Sequence, residues 1–145
     1  RRRLSGPRAP LATRGACSRA GRQATACASS PRAYFWATTC TSCVAEMPKL
    51  VETHRKFAPR GYETVAIAMN YDPPEYVRNF AARNGLPFTV ALDTTGEAAK
   101  GFEEVRLTPT TFVIDRQGRI VQKFLGEPDF PKLHALLDKL LAEPA

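Results

Sequence analysis

The sequence predicts an α/β fold in which a mixed sheet carries helices on both of its faces. Two observations lead to this class. Short apolar runs that suit buried strands alternate along residues 34–145 with segments of helical periodicity, and the last two runs are joined by a hairpin turn. The expected order of elements is β-α-β-α-β-α-β-β-α. We see no internal repeat, and residues 34–145 are long enough for one domain with a hydrophobic core.

Residues 1–33 differ in composition from the rest of the chain. They carry eight arginines and no acidic residue, whereas residues 34–145 hold 13 basic and 14 acidic residues, so the net charge of +7 belongs to the leading segment. This segment has few large apolar residues, and they show neither a two-residue nor a 3.6-residue period. It therefore cannot bury enough apolar surface to offset the conformational entropy that it would lose on folding. We therefore expect a disordered basic leader at 1–33 and a near-neutral domain at 34–145, which argues against specific nucleic-acid binding.

The leading segment also lacks the features of a targeting signal. Its three opening arginines are followed by no apolar signal-peptide core, and no run in the chain has the length of a membrane span. Cys17 and Cys27 lie in this segment, and nothing around them specifies that they pair.

The first strand and the first helix meet at a cysteine pair. The strand is expected to run from Ser30 to Phe35, and the helix is expected to begin near Cys40. Unpaired N–H groups and the macrodipole at a helix start stabilise a thiolate, so Cys40 should be the attacking sulfur. Cys43 lies one turn further on, close enough to form a disulfide with Cys40. The pair is therefore expected to take up and release two electrons.

The remaining elements follow from the same patterns. Pro48 should kink the first helix, and Pro59 should end it. Asp72 before two prolines is typical of a helix N-cap, and Gly85 is typical of a helix end. The expected later strands are residues 64–69, 88–92, 110–115 and 119–125, and the expected helices are residues 40–58, 72–84, 97–102 and 130–141.

A lone C-x-x-C motif has two other uses, which are half of a zinc site and a structural disulfide. The spacing of Cys17 and Cys27 to Cys40 fits no paired zinc knuckle, and His54 and His134 lie far from the motif in sequence. We therefore expect no metal site and no cofactor, and we favour redox use of the pair.

Residues 34–145 resemble the TlpA/ResA-like thioredoxin family. The resemblance implies a thioredoxin-like fold and a thiol-disulfide oxidoreductase that uses Cys40 and Cys43. The matching residues are Phe-Trp-Ala-Thr at 35–38, the cysteine pair, Glu46 with Pro48, Thr-Pro-Thr-Thr-Phe-Val-Ile-Asp at 108–115, and Gly-Arg-Ile-Val at 118–121.

The resemblance also implies a substrate-binding surface. Pro109 would be a cis-proline that faces the cysteines, and Thr108 would offer its backbone to an extended substrate segment. Trp36 would form a flat apolar wall beside the sulfurs. On the residues alone, a trans-proline that begins a strand and a tryptophan that fills the core are the alternatives.

The chain departs from the family pattern around the cysteines. Pro31 and Arg32 stand where the family has aliphatic residues, so we expect a shortened first strand. Tyr34 stands where thioredoxins proper hold a buried carboxylate. Glu46, three residues after Cys43, is the candidate that replaces this carboxylate as proton acceptor, and the alternative is a solvent-facing helix charge.

The resemblance implies partners and a compartment as well. The partners would be disulfide-containing protein substrates and an upstream membrane electron carrier, and the chain would act as a monomeric reductant in the periplasm or cell envelope. Two rival functions are a thioredoxin-fold module that binds copper or zinc and a peroxiredoxin-like peroxidase. The peroxidase motif would need Pro and Thr or Ser at the positions of Ala33 and Ala37, so it fails here.

Overall fold

The computed structural model describes residues 30–142, and these residues form one five-stranded sheet with helices on both faces. The expectations for Cys17, Cys27 and the rest of residues 1–29 lie outside the described part of the chain. The order of the elements is the predicted one. The strands are β1 (Ser30–Trp36), β2 (Tyr62–Ala68), β3 (Thr89–Leu92), β4 (Thr110–Ile114) and β5 (Ile120–Leu125), and the helices are α1 (Thr41–Phe57), α2 (Pro74–Asn84), α3 (Glu97–Gly101) and α4 (Phe130–Ala142).

The sheet is mixed, and β1 lies at its centre. The strands are ordered β3-β2-β1-β4-β5, with β1 parallel to β2 and β2 parallel to β3. Strand β4 is antiparallel to β1 and to β5. Because β1 and β4 are antiparallel, the end of β1 that leads to the cysteines lies beside the start of β4.

The expectation that β1 is shortened is wrong. The strand begins at Ser30, before the domain boundary expected at residue 34, and it pairs with β2 along its whole length. Arg32 pairs with Thr64 on one side and Val113 on the other, and its side chain is fully buried. A buried arginine is tolerated here because its guanidinium finds a carboxylate partner on α1.

The two faces of β1 contribute to different layers, as the two-residue period of a strand requires. Tyr34 and Trp36 face a cluster that includes residues of α1 and α2, while α4 packs on the same side around Val113. Ala33 and Phe35 face the opposite layer, where the short helix α3 packs. Helices on both faces are therefore confirmed.

Two helix details matter for the site. Helix α1 continues through Pro48 from Thr41 to Phe57. The N-cap residue of α2 is Pro73 and makes no side-chain capping bond, so the N-cap role expected for Asp72 is wrong. Among residues 30–142, no helix combines the length and the apolar character that a bilayer crossing requires.

Candidate active site

Cys40 is the N-cap residue of α1, and it forms a disulfide with Cys43 one turn into the helix. The Cα atoms of the two cysteines are 5.2 Å apart. The backbone N–H of Cys43 donates to Cys40 Sγ over 3.2 Å, and the hydroxyl of Ser42 lies 3.5 Å from the same sulfur. Cys40 therefore occupies the site where helix N–H groups stabilise negative charge on sulfur.

The two sulfurs differ in their exposure. Cys43 belongs to α1 and is completely buried, whereas Cys40 is only half-buried and is followed by the exposed residues Thr41 and Ser42. A partner molecule can therefore reach Cys40 but not Cys43. The prediction that Cys40 attacks and Cys43 resolves requires a difference in exposure of this kind.

The loop before Cys40 is fixed by a contact that the sequence did not indicate. The backbone N–H of Thr38 donates to one carboxylate oxygen of Asp72 over 2.7 Å, and the Thr38 hydroxyl donates to the other over 2.6 Å. Asp72 is buried, and the Cys40 N–H also closes a turn onto the carbonyl of Ala37 over 3.1 Å. The segment that presents Cys40 is thus anchored to the loop between β2 and α2.

The Thr108–Pro109 peptide bond is cis, as the family resemblance implied. Pro109 directly precedes β4, whose first residue, Thr110, pairs with Phe35 near the end of β1. Pro109 is buried and Thr108 is half-buried. The proline loop and the cysteine loop therefore lie at the same edge of the sheet.

Trp36 does not form the exposed wall that was expected for substrate contact. Its side chain is fully buried, in the same cluster as Cys43 and Met47, and its ring centre lies 5.2 Å from that of Phe80. It faces inward because it shares the α1 side of β1 with Tyr34. The expectation that Trp36 contacts the substrate is wrong, and its side chain instead packs in the core beneath the cysteine pair.

Glu46 is buried behind Cys43, so it is not a solvent-facing helix charge. Its Oε1 accepts from Arg32 Nη2 over 3.4 Å, and its Oε2 accepts from the Tyr34 hydroxyl over 3.3 Å. Burial raises the pKa of Glu46 to about 7, although Arg32 and the Tyr34 hydrogen bond both act to lower it. A carboxyl group with this pKa can exchange a proton near neutral pH.

Tyr34 links this carboxyl group to the cysteine turn. Its hydroxyl lies 3.3 Å from the backbone carbonyl oxygen of Cys43, the same distance as to Glu46. Burial, and then the neighbouring Glu46, raise the pKa of Tyr34 far above its ordinary value. Tyr34 therefore remains a protonated donor, a role that its replacement of a carboxylate in the sequence does not indicate.

No side-chain cluster resembling a metal site occurs among residues 30–142, since no three His, Cys, Asp or Glu residues converge there. The two cysteine sulfurs are adjacent soft ligands within these residues. Such a pair fills half of a tetrahedral zinc site.

Comparisons with known proteins agree with this geometry. The ResA thiol-disulfide oxidoreductase of Bacillus thuringiensis subsp. konkukian (strain 97-27) is 35% identical over 106 residues, which cover 73% of this chain and 60% of the relative. The solution structure of a thioredoxin candidate from Neisseria meningitidis has a TM-score of 0.74 at 34% identity and covers 78% of this chain and 75% of its own. The crystal structure of a thioredoxin-family thiol:disulfide interchange protein from Chlorobium tepidum TLS has a TM-score of 0.71 at 26% identity, covering 79% and 81%.

A family model extends over most of the domain. The redoxin model matches residues 33–137, which include both cysteines, Glu46 and the cis-proline. The chain spans about 60% of the length of the ResA proteins that it matches. The thioredoxin-like fold and the likeness to TlpA/ResA-like proteins are confirmed, and the chain belongs to the redoxin family.

Proposed function

We propose that the protein is a thiol-disulfide oxidoreductase that exchanges its Cys40–Cys43 dithiol and disulfide with protein partners. One observation carries the proposal: an accessible cysteine caps a helix and is disulfide-bonded to a buried cysteine one turn away. The similarity to ResA thiol-disulfide oxidoreductases supports the same activity.

The reaction would run in two steps from the reduced form. The Cys40 thiolate attacks a partner disulfide, whose S–S bond breaks as a mixed disulfide forms, and the leaving thiolate takes up a proton. Cys43 then loses its proton, and its thiolate attacks Cys40 Sγ. The partner's second thiol is released, so the partner gains two electrons and the protein becomes the disulfide. We propose this direction, as a reductant, and an upstream dithiol reverses the change.

We assign to Glu46 the role of proton acceptor for Cys43. Glu46 is buried one helical turn after Cys43, and its pKa of about 7 suits proton transfer at neutral pH. Tyr34, which contacts both the Glu46 carboxyl group and the Cys43 carbonyl oxygen, holds the acceptor against the cysteine turn.

Thr108 and Pro109 are proposed to bind the substrate segment around the disulfide. They lie at the sheet edge that carries Cys40, and Thr108 is partly exposed. An extended peptide would pair with the Thr108 backbone as an added strand, which gives affinity without requiring one particular side chain.

Insulin-disulfide reduction tests the function. With dithiothreitol as electron donor, the native protein should accelerate the reaction, and Cys40→Ser should reduce the rate to that of dithiothreitol alone. Cys43→Ser should also lose turnover, because it cannot release the partner. Ser42→Thr keeps both sulfurs and serves as the matched control. The proposal is wrong if both cysteine variants keep the native rate.

We further propose that the protein works in the periplasm or cell envelope, reduces disulfide-containing proteins as a monomer, and is itself reduced by a membrane electron carrier. The support is the likeness to ResA thiol-disulfide oxidoreductases and to a thiol:disulfide interchange protein. Thiol trapping with a membrane-impermeant maleimide in intact cells tests the compartment. An envelope protein should be labelled at Cys40 without lysis, and labelling only after lysis would contradict it.

The two rival functions have direct tests. A peroxidase would consume hydrogen peroxide beyond one equivalent, but Ala33 and Ala37 occupy the positions where its motif needs Pro and a hydroxyl residue, and both are buried. A metal-binding module would retain copper or zinc after purification in its reduced state. We expect neither result.

A further inference from the structure

We propose that Arg32 is a positioning residue of the redox site, whose buried guanidinium holds the Glu46 side chain behind Cys43 and favours its carboxylate form. The inference rests on the proposed role of Glu46 as proton acceptor. It assigns a function to a residue that departs from the family pattern and that the mechanism above does not use.

The position of Arg32 is defined by contacts to three elements. Its Nη2 donates to Glu46 Oε1 on α1 over 3.4 Å and lies 3.3 Å from the hydroxyl of Thr111 on β4. Its guanidinium carbon lies 5.8 Å from the ring centre of Tyr34, two residues along β1. Arg32, Glu46 and Thr111 are all buried, so this charge is held at a fixed place in the core.

The two oxygens of Glu46 are divided between two partners. Oε1 faces Arg32, and Oε2 faces the Tyr34 hydroxyl, which also lies 3.3 Å from the Cys43 carbonyl oxygen. Rotation of the carboxyl group would break both contacts, except for the half-turn that exchanges its two oxygens. Arg32 therefore fixes the orientation in which Glu46 approaches the turn that carries Cys43.

Arg32 is also the main charge that opposes the effect of burial on Glu46. The groups that act on Glu46 are Arg32 and Tyr34 from β1, Lys49 from α1, and Glu127 from the segment after β5. Lys49 and Glu127 form an ion pair with each other, and both side chains are about half exposed. Solvent therefore screens their opposite effects on the pKa of Glu46. Burial raises the pKa of Glu46, and Arg32 is the largest influence that lowers it.

The bonding of Arg32 also argues against a purely structural purpose. Its Nε and Nη1 atoms find no hydrogen-bond partner among the described residues. Burying a charge with incomplete hydrogen bonding is costly, and an apolar side chain would fill the same volume without that cost. An apolar residue could reproduce neither the contact to Glu46 nor the one to the Thr111 hydroxyl, and of these two partners Glu46 is the one beside the cysteine turn.

Ellman's reagent separates the two sulfur steps in one stopped-flow experiment. The Cys40 thiolate attacks the reagent and releases a first thionitrobenzoate, leaving the second bound to Cys40 as a mixed disulfide. The Cys43 thiolate then displaces it and forms the Cys40–Cys43 disulfide. The pH profile of the second release therefore reports on Cys43 and on its proton acceptor.

The Arg32→Gln variant should move the pH midpoint of the second release upward by about one unit or more, because a contact between opposite charges ordinarily shifts a carboxyl pKa by that much. The first release should keep its native profile. Titration of the Glu46 carboxyl carbon by NMR should show the same upward shift. Lys49→Gln is the matched control, since it removes one exposed positive charge near Glu46, and it should produce less than half of the shift.

Three outcomes distinguish the inference from the function on which it rests. If Glu46→Gln leaves the second-release profile unchanged, the proton-acceptor role of Glu46 is wrong. In the second outcome, Glu46→Gln removes the pH dependence of the second release. If Arg32→Gln then leaves both the pH profile of the second release and the NMR midpoint of Glu46 at their native values, only the Arg32 inference is overturned. The inference is supported if Arg32→Gln shifts both the pH profile of the second release and the NMR midpoint of Glu46, and if adding Arg32→Gln to Glu46→Gln does not change the second-release profile further.

Failure of Arg32→Gln to fold would also be informative. Without the guanidinium, Glu46 Oε1 loses its partner and the buried carboxyl group becomes costlier to ionise, so the double variant Arg32→Gln/Glu46→Gln should regain the cooperative unfolding transition that the single variant lacks. If the double variant is also unfolded, Arg32 has a structural role that is independent of Glu46, and the inference is overturned.

Discussion

The carboxylate of Asp72 accepts hydrogen bonds from both the backbone N–H and the side-chain hydroxyl of Thr38, at 2.7 and 2.6 Å. Thr38 follows β1 and lies two residues before Cys40, while Asp72 follows the neighbouring strand β2. One buried side chain therefore ties the loop that carries Cys40 to the segment that follows β2.

Replacing Asp72 by Ala should therefore weaken both the fold and the reactive loop. The change leaves the Thr38 N–H without its partner, and an unsatisfied buried donor costs about 1–3 kcal/mol. We expect urea unfolding to show that the free energy of unfolding falls by an amount in that range. The rate at which Cys40 is alkylated in the reduced protein should also change. Thr38→Ser keeps the N–H and the hydroxyl and should stay within about 0.5 kcal/mol of the native protein. Equal stability of Asp72→Ala and the native protein would refute the role of this contact.

The Ser42 hydroxyl should tune the reactivity of Cys40. It lies 3.5 Å from Cys40 Sγ, so it can donate to the thiolate of the reduced protein and stabilise that form. Ser42→Ala should slow the alkylation of Cys40 by iodoacetamide about two- to threefold at a pH where the thiol is only partly ionised, because the thiolate loses one weak hydrogen bond. Thr41→Ala, at the adjacent exposed position, should leave this rate unchanged. An unaltered alkylation rate in Ser42→Ala would show that the hydroxyl does not act on the sulfur.

The buried Glu46 carboxyl group should make stability depend on pH in a defined direction. Its pKa is about 7 in the folded protein against an ordinary value of 4.5, so the folded state binds its proton more tightly than the unfolded state. The contribution of Glu46 is therefore greatest below about pH 4.5 and is lost as pH rises to about 7, at about 1.4 kcal/mol per pH unit. The unfolding free energy of the native protein minus that of Glu46→Gln should fall over this interval. A flat or rising difference would contradict the raised pKa.

Trp36 should act as a core residue rather than as a substrate contact. Because its side chain is fully buried, Trp36→Ala should cost about 3–5 kcal/mol in unfolding free energy. Trp36→Phe retains most of the apolar volume and should leave the KM for insulin within about twofold of the native value. A large increase in KM for Trp36→Phe without loss of stability would restore the substrate-binding interpretation.

Part of this structure could be predicted because it depends on local pattern. Two-residue and 3.6-residue periods predict the order of the elements, and the position of Cys40 at a helix start follows from the aromatic pair at 35–36 and the helical pattern after the cysteines. The hairpin after β4 was likewise expected from Gly118 and its neighbours, and the structure shows the Gly118 N–H bonded to the Asp115 carbonyl.

The rest depends on contacts between residues that are distant in sequence. Asp72 has the local character of an N-cap, but its bonds to Thr38, 34 residues earlier, replace that role. In the sequence, Arg32 is unexpected in a central strand. The partners that allow its burial are Glu46, 14 residues away, and Thr111, 79 residues away, and no local pattern indicates them. Burial of a charged side chain cannot be inferred until the partner that compensates it is known.

The most direct measurement of the central claim is covalent trapping of a substrate by Cys43→Ser. Mass spectrometry of the reduced variant after incubation with a disulfide-containing protein should find one mixed disulfide, located at Cys40 and released by dithiothreitol. Cys40→Ser, treated identically, should form far less adduct because Cys43 is buried. Absence of an adduct from Cys43→Ser, or equal adduct formation by both variants, would contradict the assignment of Cys40 as the attacking sulfur and Cys43 as the resolving one.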